Sequence, residues 1–399
     1  MKKNQYMDIK HIVTFNAGSS SIKFAVYEFT DTLNKSINGQ VENISTIPIV
    51  KIYDSAGAMI KHVQFDKNQS YEYFYDLLVS AFESNQFNFT ISGVGHRVVH
   101  GGLKFDTPVL VNEQIVEELK KYIPFAPLHQ PYNLKAIESV RKLYPKMLQV
   151  ACFDTSFHRT HPVICDLFGI PKELTNAGIK RYGFHGLSYE YIIHQFKKLY
   201  PDKINSRIVV AHLGNGSSMC AINNGKSIDT TMGFTALDGL LMGTRCGSLD
   251  PGVVIYLMEY KNMTAKEVES MLYKKSGLLG VSGITHDMRR LLEDKGEDAR
   301  RAIDLYVYRI RRELGALVSV LGGIDHLIFT GGIGEHAWQI REKVCQNNEW
   351  LLLSIDKNKN HKNESIINDK KSKVGVYVIP ANEEWMIANH TYQILSGSD

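Results

Sequence analysis

Two stretches of this chain repeat each other. Ile12-Val13-Thr14-Phe15-Asn16-Ala17-Gly18-Ser19-Ser20-Ser21 lies without a gap over Ile208-Val209-Val210-Ala211-His212-Leu213-Gly214-Asn215-Gly216-Ser217, at an offset of 196 residues. Each copy is an apolar run, a turn of Gly, Ser and Asn, and a second apolar run, Ile22–Tyr27 in one copy and Met219–Ile222 in the other. That pattern predicts a β-hairpin whose turn residues carry little bulk and tolerate unusual φ. Two such hairpins in 399 residues predict two domains of similar plan facing one another. The match is short, so coincidence between two ordinary glycine turns is the competing reading. A chain of this length independently favours two or three domains of ~100–200 residues each.

Strand-like runs alternate with helix-like patterns, which predicts α/β layers. The remaining strand candidates are Gly95–Val99, Gln149–Phe153, Ile208–His212, His326–Thr330 and Val374–Ile379. Tyr189, Ile192, Ile193, Phe196 and Tyr200 form one helical stripe; Ile303, Val307, Ile310, Leu314, Leu317 and Leu321 form another, ended by Gly322-Gly323. A boundary near 150–160 would separate the repeats. Asp356–Lys373, rich in Lys and Asn, reads as a solvated surface excursion.

Forty-six Lys+Arg against 42 Asp+Glu leave a net charge of +4, far too little to indicate a nucleic-acid partner. Cys152, Cys165, Cys220, Cys246 and Cys345 are odd in number, scattered, and lack zinc or redox spacing. Reduced thiols in a cytoplasmic setting fit them best. The opening MKKNQYMDIK reaches only a short apolar run, Ile12 to Phe15, too short for a signal peptide, and no segment approaches the ~20 apolar residues of a membrane span.

Three glycine-rich segments follow apolar strands: Asn16–Ser21, Gly214–Ser218 and Gly331–Glu335. Clustered backbone N–H groups in such turns cradle phosphate oxygens, although each could equally be a plain turn. None is a Walker-A or Gly-x-Gly-x-x-Gly loop. Arg97 lies within the strand-like run of GHRVVHGG and needs an anion if buried; Arg245 sits between glycines in MGTRCG. An internal salt bridge would satisfy either. His185, in RYGFHG, occupies a glycine-flanked turn just before a helix, where it could face a cleft or serve structure alone. Asp154 ends an apolar strand, a frequent place for functional carboxylates and also for turn residues. Glu383 and Glu384 follow the last strong strand, where hard oxygens would suit Mg²⁺ or simply begin a helix.

Taken together, FNAGSSSIK (15–23), GHRVVHGG (95–102), APLHQP (126–131), FDTSFH (153–158), RYGFHG (181–186), HLGNGSS (212–218), MGTRCG (242–247), DMR (287–289), FTGGIGE (329–335) and PANEE (380–384) resemble the acetate kinase family. That family belongs to the acetate and sugar kinase/heat-shock/actin superfamily, and the motifs occur in its order over nearly the whole chain. The resemblance implies two ribonuclease-H-like domains with a duplicated βββαβα core around a nucleotide cleft. They would span 1–155, completed by a C-terminal helix 385–399, and 156–384. It also implies reversible phosphoryl transfer from ATP to acetate, Mg²⁺ with Mn²⁺ as a substitute, a homodimer and a cytoplasmic location.

By motif, Arg97, Asp154, His185 and Arg245 are implied as catalytic, and Asn16 and Glu383 as the Mg²⁺-associated positions. Arg97, Val99, Leu128, Phe184 and Ala236 would surround the short-chain acid. Lys23, His212, Leu213, Gly214, Asn215, Gly216, Asp287, Met288, Arg289, Gly332, Ile333, Gly334, Glu335 and His336 would contact nucleotide. Acetate is already a carboxylate, so the obstacle is bringing two anions together rather than making a nucleophile. Asp154 is therefore expected to organise an arginine or Mg²⁺ instead of acting as a base. The chain departs from the family pattern at Ser248, where a carboxylate is usual, and at Ala236, where proline is usual. Leu187, Tyr189, His286 and His336 are further departures. Propionate kinase shares these motifs, and a nucleotide-gated interaction module is the reading from another class. The two arginines and His185 argue against the module.

Overall fold

The structure is a computed structural model that describes residues 10–44, 46–84 and 86–397; segment 1–9, on which the expectation about a signal peptide falls, lies outside the described residues. The chain divides into two compact units. One comprises residues up to Ser156 together with those from Asn382 onward, and the other comprises Phe157–Ala381.

The first unit is built on an eight-stranded sheet of β1 (His11–Ala17), β2 (Ile22–Phe29), β3 (Leu33–Glu42), β4 (Ile49–Asp54), β5 (Met59–Gln64), β6 (Ile91–Val98), β7 (Val109–Leu110) and β8 (Gln149–Phe153), in the order β5-β4-β3-β2-β1-β6-β8-β7. β1 runs antiparallel to β2 and parallel to β6, which is parallel to β8. Successive side chains of a strand point to opposite faces, and β1 uses both. Val13, Phe15 and Ala17 pack with Phe74, Leu78 and Phe82 of helix Tyr71–Glu83 and Val140 of helix Gln130–Leu143. Ile12 on the other face packs with Ala25, Tyr27 and Ala388, the last from helix Glu383–Ser396. Helices on both faces explain why the β1 and β8 runs read as nearly continuous apolar sequence.

The second unit holds β9 (Arg207–Leu213), β10 (Ser217–Asn223), β11 (Lys226–Thr230), β12 (His326–Thr330) and β13 (Gly375–Val378), in the order β11-β10-β9-β12-β13. β9 is antiparallel to β10 and parallel to β12, the same relations that β1 has with β2 and β6. β1 and β9 have identical bounds at the offset of 196. Their inside-outside parity also coincides. Val209 and Ala211 face a core shared with helix Glu297–Leu321, while Ile208 and Val210 face Tyr189, Ile192 and Phe196 of helix Gly186–Leu199. The sequence repeat is thus a repeat of strand order, pairing and facing.

Two expectations change. Gly331–Glu335 is the opening of a short helix, Gly331–His336, because its first amide is taken by the Glu335 carboxylate rather than left open as a turn. Asp356–Lys373 is tied into the unit more firmly than a solvated excursion. Ile367 is fully buried, Ile366 bridges to Tyr377, and Asn360 meets a fully buried Arg341.

Arg341 donates to Asn360 Oδ1, to the carbonyls of Gly334, Glu335 and Asn360, each at 2.8 Å, and to Asn363 Oδ1 at 2.5 Å. Burial pulls its pKa down to about 10, with nearby Cys345 opposing. Five acceptors would lose their donor in Arg341→Met. We expect that variant to unfold at least about 3 kcal/mol more easily, given ~1–3 kcal/mol for each buried group left unpaired. Urea titration measures this.

Candidate active site

In the first unit Arg97 gathers the polar residues that the motifs single out. β6 carries it at the point where the parallel ladder runs beside Asp154, just past the end of β8. Arg97 Nε donates to Asp154 Oδ1 at 3.0 Å and Nη2 to Oδ2 at 2.5 Å, a bidentate fork, while Nη1 donates to Asn16 Oδ1 at 3.1 Å. Glu383 Oε2 lies 3.9 Å from Nε. Asp154 is 1% exposed, and its partner's side chain is 20% exposed, so one edge of the guanidinium remains reachable. Burial works against the charge on Arg97, but Asp154 and then Glu383 outweigh it and hold the guanidinium above its ordinary pKa. Its charge is permanent at any working pH.

Local sequence explains each placement. Asn16 ends β1 opposite Lys23 on β2, so the glycine turn brings both to the same end of the hairpin. Asn133, fully buried, donates to the Ala17 carbonyl at 2.7 Å and accepts from Val99 N at 3.0 Å, locking that turn to the end of β6. Glu383 opens the last helix, which Asn382 caps by accepting from Trp385 N. Glu384 beside it is pushed up by burial and by Glu383, against the pull of Lys23 and Arg97. Lys23 and Glu384 border a polar cavity of about 340 Å³ with Lys35, Gln40 and Tyr53. Val99 is buried, and Leu128 is half-buried just ahead of helix Gln130–Leu143.

In the second unit His185 stands at the N-terminal end of helix Gly186–Leu199 with φ of 60°, left-handed backbone that is uphill for a residue with a side chain. Its Nδ1 meets Ser218 Oγ at 2.8 Å, and its ring stacks on His212 at 4.4 Å between centroids. His212 in turn meets Ser188 at 2.8 Å. Tyr189 bonds the same Ser218 hydroxyl, which gives that departure from the family pattern a place beside His185. Arg245 Nη1 donates to the Ala236 carbonyl at 2.5 Å.

Gly216 shows how closely the Arg245 and His185 side chains approach the same point. A Cβ there would lie 2.6 Å from Arg245 Nη2 and 3.2 Å from His185 Nε2, so only glycine leaves both nitrogens their space. Ser248 donates to Asp238 Oδ1 at 2.9 Å. Phe184 is buried, Leu187 is buried, and Ala236 is half-buried.

The nucleotide-type segments also meet. Gly214, Asn215, Asp287, Met288, Arg289, Gly332, Ile333 and His336 line one cavity of about 650 Å³. Asp287 caps the short helix Met288–Glu293 and pairs with Arg289 at 2.8 Å. Lys23, His212, Leu213, Gly216, Gly334 and Glu335, expected to contact nucleotide as well, are not among its lining residues. Glu335 Oε1 instead accepts from the Gly331 and Ala381 amides, both at 2.9 Å, and holds the segment in shape. Sequence reasoning missed Leu292, Glu293, Ala337, Trp338 and Gln339 as lining residues and treated His286 only as a departure. Their signal was proximity to DMR and GIGE, since the residue after a lining one on a helix turn often lines as well.

Hard oxygens are available near Arg97 from Asn16, Asp154 and Glu383, but no group of three or more His, Cys, Asp or Glu suited to a metal occurs among the described residues. A donor set this small fits Mg²⁺, which keeps waters and takes substrate phosphate, better than an all-protein cage. Among the described residues no helix is long and apolar enough to cross a membrane.

Known proteins match this chain over almost its full length. The model of the acetokinase family matches residues 11–389. The acetate kinase of Methylocella silvestris is 46% identical over 394 residues, covering 96% of this chain and 98% of the relative. Among solved structures, Porphyromonas gingivalis acetate kinase matches with a TM-score of 0.88 at 36% identity, covering 97% of this chain and all of that one. A propionate kinase from Francisella tularensis matches at 0.90 and 37%, covering 96% and 99%. Matched by the family model and by these relatives over nearly its whole length, the chain belongs to the acetokinase family and has its two-domain actin/sugar-kinase-like fold.

Proposed function

We propose that this chain transfers a phosphoryl group reversibly from ATP to acetate, giving acetyl phosphate and ADP by direct in-line transfer. The observation that carries the reading is the approach of Arg245 Nη2 and His185 Nε2 over Gly216, at the end of the strand-turn unit whose continuation lines the 650 Å³ cavity. Cationic and donor groups fixed over a glycine turn suit a transferring PO₃ group, whose charge lies on its equatorial oxygens. The apolar walls from Met288, Leu292, Ile333 and Trp338 suit a nucleobase, and Asn215 and Arg289 suit its polar edges.

In this reading Arg97 offers its open edge to the acetate carboxylate while Asp154 fixes the guanidinium plane. Asp154 gives both oxygens to that arginine, so it is an organiser and not a proton acceptor. His185 donates to the migrating group and Arg245 offsets its charge. Asn16 and Glu383 would hold Mg²⁺, which when bound supplies charge neutralisation to the nucleotide phosphates. A homodimer and a cytoplasmic setting belong to the same proposal, supported by the family.

Ala236 supports broader acid use, because the proline usual there in the family would fill more space beside Arg245. We expect Ala236→Pro to lower kcat/KM for propionate relative to acetate by about tenfold, at the lower end of the ~1–3 kcal/mol that one methylene commands. A competition assay in which the ratio stays put would remove Ala236 from the specificity pocket.

The proposal as a whole is tested by incubating the protein with ATP, Mg²⁺ and acetate, propionate or butyrate and trapping the acyl phosphate with hydroxylamine. Acetyl hydroxamate at substrate-dependent rates is expected. Tight ATP binding with no acyl phosphate from any acid would overturn it in favour of a nucleotide-gated module.

A further inference from the structure

The catalytic reading uses Asp154 of the FDTSFH segment and leaves its last residue, His158, without a task. His158 is fully buried. Its Nε2 lies 3.0 Å from the Phe184 carbonyl and its Nδ1 2.8 Å from Ser227 Oγ. Ser227 Oγ also meets His161 Nε2 at 2.8 Å, and His161 Nδ1 faces Asp166 Oδ1 at 3.3 Å. Asp166 is shared with Arg159 at 3.5 Å and Lys180 at 3.3 Å, and Cys220 Sγ approaches Ser227 at 3.1 Å.

These contacts allow only one proton arrangement if His158 is neutral. A carbonyl can only accept, so His158 carries its proton on Nε2 and donates it to Phe184. Nδ1 must then accept, which commits the Ser227 hydroxyl proton to His158. His161 Nε2 must donate to Ser227, and His161 Nδ1 must donate to the Asp166 carboxylate, so His161 bears both protons. Burial, with His161 adding to it, holds the His158 pKa well below the usual imidazole range, which agrees with a neutral ring.

We propose that His158 is a positioning residue for phosphoryl transfer: the Asp166–His161–Ser227 chain fixes its tautomer so that it pins the peptide between Phe184 and His185. That peptide sets φ of His185. Turning the Phe184 carbonyl is the motion that would let His185 leave the left-handed region, and His158 opposes it. Arg159 holds the preceding Tyr182 carbonyl at 2.8 Å, so two neighbouring residues brace the same loop. The space is built for this contact, since at Gly183, with φ of 75°, a Cβ would fall 2.6 Å from the His158 ring. The proposal rests on His185 acting on the transferred group, and it adds what holds His185 there.

Two measurements test it on the intact protein. Long-range ¹⁵N–¹H spectra of histidine-labelled protein at pH 7 should show His158 protonated on Nε2 alone and His161 protonated on both nitrogens. A His158 signal protonated on Nδ1 alone would overturn the proposal whatever the kinetics. Kinetically, His158→Phe keeps the ring but removes both bonds. It is expected to lower kcat at least tenfold while KM for ATP and acetate stays within threefold. His158→Gln, which can again donate to the Phe184 carbonyl, should recover most of the loss. Ser227→Ala serves if His158→Phe does not fold and should also lower kcat at least tenfold. A folded variant of either kind with a smaller loss sinks the idea. His185→Asn in the same assay separates the two claims, because an active His185→Asn would refute the catalytic reading while the spectra still judge the tautomer chain.

Discussion

Arg97→Ala is expected to lower kcat about a thousandfold or more, the scale on which a transition-state arginine acts in phosphoryl transfer. The side chain does two things at once. Its fork saturates a carboxylate that is 1% exposed, its Nη1 reaches Asn16, and Glu383 lies at longer range from the fork nitrogen Nε. Removing it leaves Asp154 and Glu383 as neighbouring negative charges where the proposed reading seats an anionic acid. Arg97→Lys should recover little, because an ammonium is a point charge and cannot reproduce the planar fork. Steady-state turnover, with circular dichroism to confirm folding, checks this. A folded Arg97→Ala with turnover within tenfold of the parent would take Arg97 out of the reaction.

Arg245→Ala should be nearly as damaging, about a thousandfold in kcat, and for a different reason. Its Nη1 is anchored on the Ala236 carbonyl, which leaves Nη2 aimed towards Gly216 and His185. Truncation therefore removes charge beside Gly216 and His185, where the proposed reading places the transferring group. The two arginines can be told apart by stability. Arg97→Ala should lower the thermal midpoint noticeably, since it takes a bidentate cationic partner from the buried Asp154, whereas Arg245→Ala should lower it less. Equal losses of stability in the two variants would contradict the separate roles assigned here.

Much of this architecture was readable in residues alone, and the reasons are physical. β1, β8, β9 and β12 sit between helices on both faces, so their sequences are apolar throughout and stand out as runs. β3, β4 and β5 escaped notice because they lie towards the open edge of their sheet. LNKSINGQVE and MIKHVQ carry polar residues on exposed positions and lack a clean run. The glycine segment after β12 was taken for a turn, since glycine signals bends; the Glu335 carboxylate, reaching back to the Gly331 amide, makes it helical instead. Arg97 was legible as a candidate because charge in an apolar strand demands a partner, Asp154 because it ends an apolar strand, and Asn16 through its glycine-rich turn and the family motif. That the partner of Arg97 would be Asp154, 57 residues away, required the parallel pairing of β6 with β8. His158 was invisible as a functional residue, because only its bond to a distant carbonyl gives it meaning.

The helix Glu383–Ser396 covers a face of the first sheet. Cβ atoms added at Gly95 would run into Ile387 and Thr391, so the fit is close. A ribosome making this protein therefore releases the strands of that sheet long before the piece that shields them, and the intervening unit has to emerge in between. The early strands must wait with Ile12, Ala25 and Tyr27 uncovered. Chaperone demand during synthesis should accordingly fall on the amino-terminal half, and carboxylate Glu383 reaches Arg97 only as the last turn of assembly is completed.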